Sequence, residues 1–185
     1  MDFLSVKKEV IKELGEVLEE VNEKSAEKLI EMVNSANSVF VIGAGRTMLM
    51  LQAFAKRLNH LKINAFVIGE TTTPPIEKED LLIAASGSGK TMTTINISRL
   101  AKEKGAKVAL ITATEKSTLS GFADICIKIP CPTKSEPERE HKSIQPGGTL
   151  FEQGLLIFLD CIALIIKKQS GISEEEMWRL HANLE

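Results

Sequence analysis

Short, wholly apolar runs alternate with longer amphipathic stretches through the middle of the chain. Val39-Phe40-Val41-Ile42, Ala65-Phe66-Val67-Ile68, Leu81-Leu82-Ile83-Ala84-Ala85 and Val108-Ala109-Leu110-Ile111 read as strands, as does the segment 124–129. The runs are continuous rather than alternating, the pattern of strands buried on both faces. Residues 46–61 and 91–104 carry helical spacing between them, and Gly105 ends the second. Residues 118–122 read as a short turn or helix. Strand and helix in alternation predict an α/β fold with a parallel sheet covered on both sides.

The flanks are helical. Up to about residue 22, Val10, Leu14, Val17, Leu18 and Val21 fall on one face, with Gly15 weakening the helix slightly. Ser25 is the expected cap of a second helix whose Leu29, Ile30, Met32 and Val33 face inward, and 35–38 breaks it. After the last strand comes a polar loop over 130–148 with four prolines; loops this long are usually functional or disordered. It feeds a helix from Thr149 to about Lys168 that is apolar nearly all round, which suits burial between subunits. Ser173-Glu174-Glu175-Glu176 starts a last helix before the tail His181-Ala182-Asn183-Leu184-Glu185.

The chain has 185 residues, which suits one domain over 1–185, with N-terminal helices in 1–34 and C-terminal helices in 149–185 making oligomer contacts. Net charge is −2 and no Lys/Arg run stands out, which argues against nucleic acid as a partner. Cys126, Cys131 and Cys161 are scattered, so they read as reduced thiols in the cytoplasm. Charges follow Met1 at once, unlike a signal peptide. The most apolar stretch, 155–166, is short and contains Asp160, so no membrane span is expected.

The candidate chemistry lies in the turns. Ser86-Gly87-Ser88-Gly89-Lys90-Thr91 joins a buried strand to a helix start. Free N–H groups and the macrodipole favour an anion there, the glycines allow close approach, and three hydroxyls add donors. The turn is not a P-loop, because Ala84 stands where the first glycine is needed. Gly43-Ala44-Gly45-Arg46-Thr47-Met48 starts like a dinucleotide fingerprint but has Met48 in place of the third glycine. In a parallel sheet the turns at 43–47, 69–73 and 86–91 share one rim, where ligands bind.

These turns, with Glu70-Thr71-Thr72-Thr73-Pro74-Pro75, Gln145-Pro146, Gly148-Thr149-Leu150-Phe151-Glu152-Gln153 and the His181 tail, resemble the sugar isomerase (SIS) domain family, and within it the hexuloisomerase branch. The resemblance covers essentially the whole chain. It implies a flavodoxin-like, three-layer αβα sandwich with a five-stranded parallel sheet, a homotetramer, and neither metal nor cofactor. It also implies interconversion of D-arabino-hex-3-ulose 6-phosphate and D-fructose 6-phosphate in the ribulose monophosphate pathway of formaldehyde fixation, beside hexulose-phosphate synthase. Gly45, Arg46, Thr47, Glu70, Ser86, Gly87, Ser88, Gly89 and Thr91 are the expected sugar-phosphate contacts. Thr47 stands where members commonly carry Ser, Met48 where Gly is usual, and Gly147 where Met is often seen.

Moving a carbonyl to the next carbon requires a proton shuttle through an enediol(ate). Glu152 is the candidate base, although Thr149-x-x-Glu152 also spells a capping box. His181 is the second candidate, handling an oxygen proton, and its tail position suggests reach into a neighbouring subunit. Arg46 could steady the sugar oxygens or simply pair with Glu70. His60 and His141 receive no role, and Lys90 reads as solvated. Two other readings stay open: an isomerase of pentose or amino sugar phosphates, and a non-catalytic sugar-phosphate sensor, which predicts a DNA-binding segment.

Overall fold

The computed structural model describes residues 2–133 and 142–184. His141 and most of the charged part of the 130–148 loop lie outside the described residues. Five strands, β1 (Val39–Ile42), β2 (Ala65–Val67), β3 (Leu81–Ala85), β4 (Lys107–Thr112) and β5 (Ile125–Lys128), form one parallel sheet in the order β2-β1-β3-β4-β5. This is the flavodoxin-like doubly wound order, which reverses between β1 and β3. The helices are α1 (Phe3–Glu19), α2 (Glu23–Ser35), α3 (Arg46–His60), α4 (Met92–Glu103), α5 (Thr149–Ser170) and α6 (Glu174–Arg179).

Alternate strand residues feed two cores, as the pleat requires. Val39, Val41, Leu81, Ile83, Ala109 and Ile111 pack with residues of α2, α3 and α5. Phe40, Ile42, Leu82, Ala84 and Val108 pack on the other side with Ala101 of α4. Every residue of β1 and β3 is buried, which explains their unbroken apolar runs.

Two local expectations need correction. The cap of α2 is Asn22, not Ser25: Asn22 Oδ1 accepts the Ser25 N–H at 3.0 Å. Both are cap-forming residues three positions apart, and the earlier one takes the role, three residues after α1 ends at Glu19. The other is the argument from the short run 155–166: the helix that holds it spans Thr149–Ser170, close to the expected 149 to about 168. At 22 residues α5 is long and apolar enough to cross a bilayer, because Thr149-Leu150-Phe151 and Lys167 to Ser170 extend it at both ends. In this structure half of its most apolar window is buried within the chain. Leu155, Phe158, Leu159 and Ile162 contribute to the larger core. Gly154 lets α5 approach closely, since a Cβ there would lie 3.2 Å from Ile129 Cγ2 and 3.8 Å from Val17 Cγ2.

Candidate active site

The carboxyl ends of β1 and β3 flank the point where strand order reverses, and a cleft of about 260 Å³ opens there. Its walls come from three helix starts. Ala44 and Thr47 belong to α3 and the turn before it, Ser86, Gly87, Ser88 and Thr91 to the turn into α4, and Gly148, Phe151 and Glu152 to the head of α5. Pro132 and Thr133 close a further side.

The Ser86–Thr91 turn is held from behind by Thr112, the last residue of β4, and by the main chain that follows it. Ala113 N–H and Thr112 Oγ1 donate to Gly87 O at 3.1 and 3.2 Å, and Leu119 N–H donates to Gly89 O at 3.2 Å. Gly89 has φ +62°, and a Cβ there would overlap the Ser117 side chain, so the position is closed to other residues on two counts. The Phe151 ring lies against Gly87, 3.4 Å from where a Cβ would stand.

None of the three helix starts around the cleft is capped by its own side chain. Thr91 is the N-cap of α4, but its hydroxyl is engaged with Ser86 Oγ at 2.9 Å. Gly45 and Gly148 are the N-caps of α3 and α5 and have no side chain to offer. Thr149 N–H donates to Pro146 O at 3.2 Å and Met48 N–H to Gly45 O at 3.1 Å, while the other N–H groups of the three first turns and the positive ends of the helix dipoles suit an anion.

Arg46, the first residue of α3, crosses to the head of α5. Its Nε lies 3.3 Å from Glu152 Oε2, and its Nη1 donates to Thr149 Oγ1 at 3.3 Å. The Glu152 side chain is only 16% exposed, whereas that of Arg46 is 55% exposed. The capping box that Thr149 and Glu152 spell is not formed. Gly148 is the N-cap, so Thr149 is one position too late and its hydroxyl donates to Pro146 O at 2.6 Å instead. The carboxylate of Glu152 is thereby not used as a cap and borders the cleft, paired with Arg46.

The expected contacts fall into groups. Thr47, Ser86, Gly87, Ser88, Thr91 and Glu152 border the cleft, and Arg46 reaches it through Glu152. Gly45 sets the start of α3, and Gly89 lies within the Ser86–Thr91 turn, against Ser117 rather than on the cleft wall. Glu70 is exposed in the turn after edge strand β2, one strand away from the reversal, and neither lines the cleft nor pairs with Arg46. Met48 turns away and packs beside the smaller core with Phe66 and Ile68. Ala44, Thr133, Gly148 and Phe151 are wall residues that the sequence does not mark individually.

His181 is at the other end of the molecule. Its ring stacks on His60 at 4.1 Å and on Trp178 at 4.8 Å. His60 is the last residue of α3 and Arg46 the first, so the two rings and the cleft are separated by about 20 Å of helix. Burial, then His181 and the nearby Arg57 and Lys56, push the pKa of His60 below its ordinary value. Among the described residues no three His, Cys, Asp or Glu side chains converge as a metal site would need.

A parallel sheet reversing at β1/β3, with a hydroxyl-rich turn there, defines the class. The SIS domain model matches residues 32–146, and the chain belongs to the SIS domain family. Over 96% of both chains it is 38% identical to a Bacillus subtilis protein named 3-hexulose-6-phosphate isomerase. A Mycobacterium gastri protein of the same name is 36% identical, covering 94% of this chain and 86% of its own. A solved structure from Methanococcus jannaschii, described as inferring a molecular function of 3-hexulose-6-phosphate isomerase, superposes with TM-score 0.84 at 32% identity, covering 96% of this chain and 98% of its own.

Proposed function

We propose that this chain is a 3-hexulose-6-phosphate isomerase, interconverting D-arabino-hex-3-ulose 6-phosphate and D-fructose 6-phosphate through an enediol(ate). The observation that carries the reading is the Arg46–Glu152 pair at the mouth of a cleft floored by uncapped helix starts. The sugar phosphate docks its phosphate on the Ser86–Thr91 turn and the N-terminus of α4, where hydroxyls and free N–H groups surround it. Glu152 removes the proton from C2 of the 3-hexulose and returns it to C3. The proton on O2 leaves as O3 gains one, so the ketone moves from C3 to C2 with no net loss of atoms. Arg46 faces the enediolate oxygens and stabilises the charge they carry between the two transfers.

His181 handles the oxygen proton from a neighbouring copy, because its own cleft is about 20 Å away. Exposed Phe3, Leu4 and Ile11 on α1 and Ile157, Leu164 and Ile165 on α5 support such an assembly, a homotetramer. The N-terminal and C-terminal helices flanking a single domain are its contact elements. The enzyme works in the cytoplasm beside hexulose-phosphate synthase, taking up that enzyme's product.

The test is turnover of fructose 6-phosphate by the natural chain and by Glu152→Gln. The variant is expected to fold and bind but to lose about 10²- to 10⁴-fold in kcat, the usual contribution of a general base. Mixing it with a His181→Ala chain restores activity if the two residues meet across subunits. Full activity in Glu152→Gln removes that residue as the base. Binding without turnover by the natural chain would favour a sensor.

A further inference from the structure

A buried carboxylate outside the cleft carries an inference that rests on the isomerase reading. Glu13 sits on the apolar stripe of α1, between Val10 and Val17, and is 5% exposed. An ionised carboxyl in such a place is costly unless its oxygens are hydrogen-bonded. Three consecutive residues supply the donors: Ser143 Oγ at 2.8 Å, Ile144 N–H at 2.7 Å and Gln145 Nε2 at 3.0 Å. Gln145 N–H also donates to Ser143 Oγ at 3.0 Å, so this segment folds around the carboxylate. Burial pushes the pKa of Glu13 up, but the bonds from Gln145, Ile144 and Ser143 outweigh it and hold the group below its ordinary value. The three hydrogen bonds thus favour the ionised form of Glu13. Cys131, just before the wall residues Pro132 and Thr133, also feels it: burial, then the Glu13 charge, push its thiol up to about 12.

The anchored segment runs straight into the cleft. Pro146 O accepts the Thr149 hydroxyl, Thr149 Oγ1 accepts from Arg46, and Arg46 pairs with Glu152. We propose that Glu13 is a positioning residue for the isomerisation, anchoring residues 143–145 so that the head of α5 presents Glu152 and Thr149 to Arg46. It acts from α1, a helix that contributes no residue to the cleft wall. Its bonds to the loop leave the phosphate turn untouched, since that turn is braced from β4.

The experiment compares the full-length chain with Glu13→Gln, Ser143→Ala and Glu152→Gln. Gln keeps the size of Glu13 but cannot accept from all three donors, and Ser143→Ala removes one of the bonds. Glu13→Gln is expected to lower kcat for fructose 6-phosphate by about 10- to 100-fold, the cost of a misplaced reacting group. Inhibition by inorganic phosphate, which probes the Ser86–Thr91 turn, stays at its natural strength. Ser143→Ala shows a smaller loss with the same split, and decides the matter alone should Glu13→Gln not fold. If Glu13→Gln lowers the melting temperature but leaves kcat intact while Glu152→Gln is inactive, Glu13 only packs and the base reading stands. If Glu152→Gln keeps its kcat, the base reading falls, and the anchor that acts through it falls as well.

Discussion

The described α-helices divide into two sets by how they begin. α1, α2 and α6 start on Asp2, Asn22 and Ser173, each accepting a backbone N–H with its own side chain, and α6 completes a full capping box with Glu176. α3, α4 and α5 start on Gly45, Thr91 and Gly148 with no side-chain cap. The first set lies away from the cleft and the second surrounds it. Orphan N–H groups that are left open by the protein are satisfied by something else, and a phosphate or an enediolate has the right charge. The side-chain caps that the outer helices carry are missing from the three that surround the cleft.

The comparison can be broken most severely at Gly89. Gly89→Ala forces a side chain into a left-handed backbone and against Ser117, so the uncapped start of α4 shifts. Turnover is expected to fall by about 100-fold, measured as kcat/KM for fructose 6-phosphate. A milder break is Ser86→Ala, which removes one hydroxyl from the turn and releases that of Thr91, the N-cap of α4. KM is expected to rise about tenfold with kcat nearly unchanged, the value of one hydrogen bond to a charged group. Inorganic phosphate should raise the melting temperature of the natural chain more than that of this variant. The smallest effect on activity is expected at a capped helix. Asn22→Ala leaves kcat and KM alone and costs about 1 kcal/mol of stability, read from urea unfolding. A loss of activity there would mean that the two sets of helices are not separate in function.

Much of the fold is legible because its strands are buried on both faces. In such a strand every residue has an apolar reason to be there, and Leu81 to Ala85 reads directly as β3. The Ser86–Thr91 turn is legible for a similar reason, since a run of small hydroxyl residues and glycines between a buried strand and a helix stands out from both. Pairings across the chain are less accessible. Spacing offers Glu70 as the rim partner of Arg46, yet the partner is Glu152, brought over by the packing of α5 on α3. The spelling Thr149-x-x-Glu152 suggests a cap, and only the observed start at Gly148 shows that the register is wrong for one. His181 reads as a site residue from the tail motif, but its distance from its own cleft depends on α3 running from one end of the molecule to the other. Glu13 carries one faint signal, a charge where the stripe of Val10 and Val17 calls for an apolar residue; its partners lie about 130 positions away, beyond any local pattern.

The composition of α5 has a consequence for biosynthesis. A 22-residue helix this apolar has the length and composition of a membrane span. In the order of synthesis it follows all five strands, so it emerges when the sheet that will cover it has already left the ribosome. Its neighbours are then a ready apolar surface rather than an empty tunnel mouth. The order of elements along the gene, and not their composition alone, thus gives this helix a protein seat to compete with a lipid one.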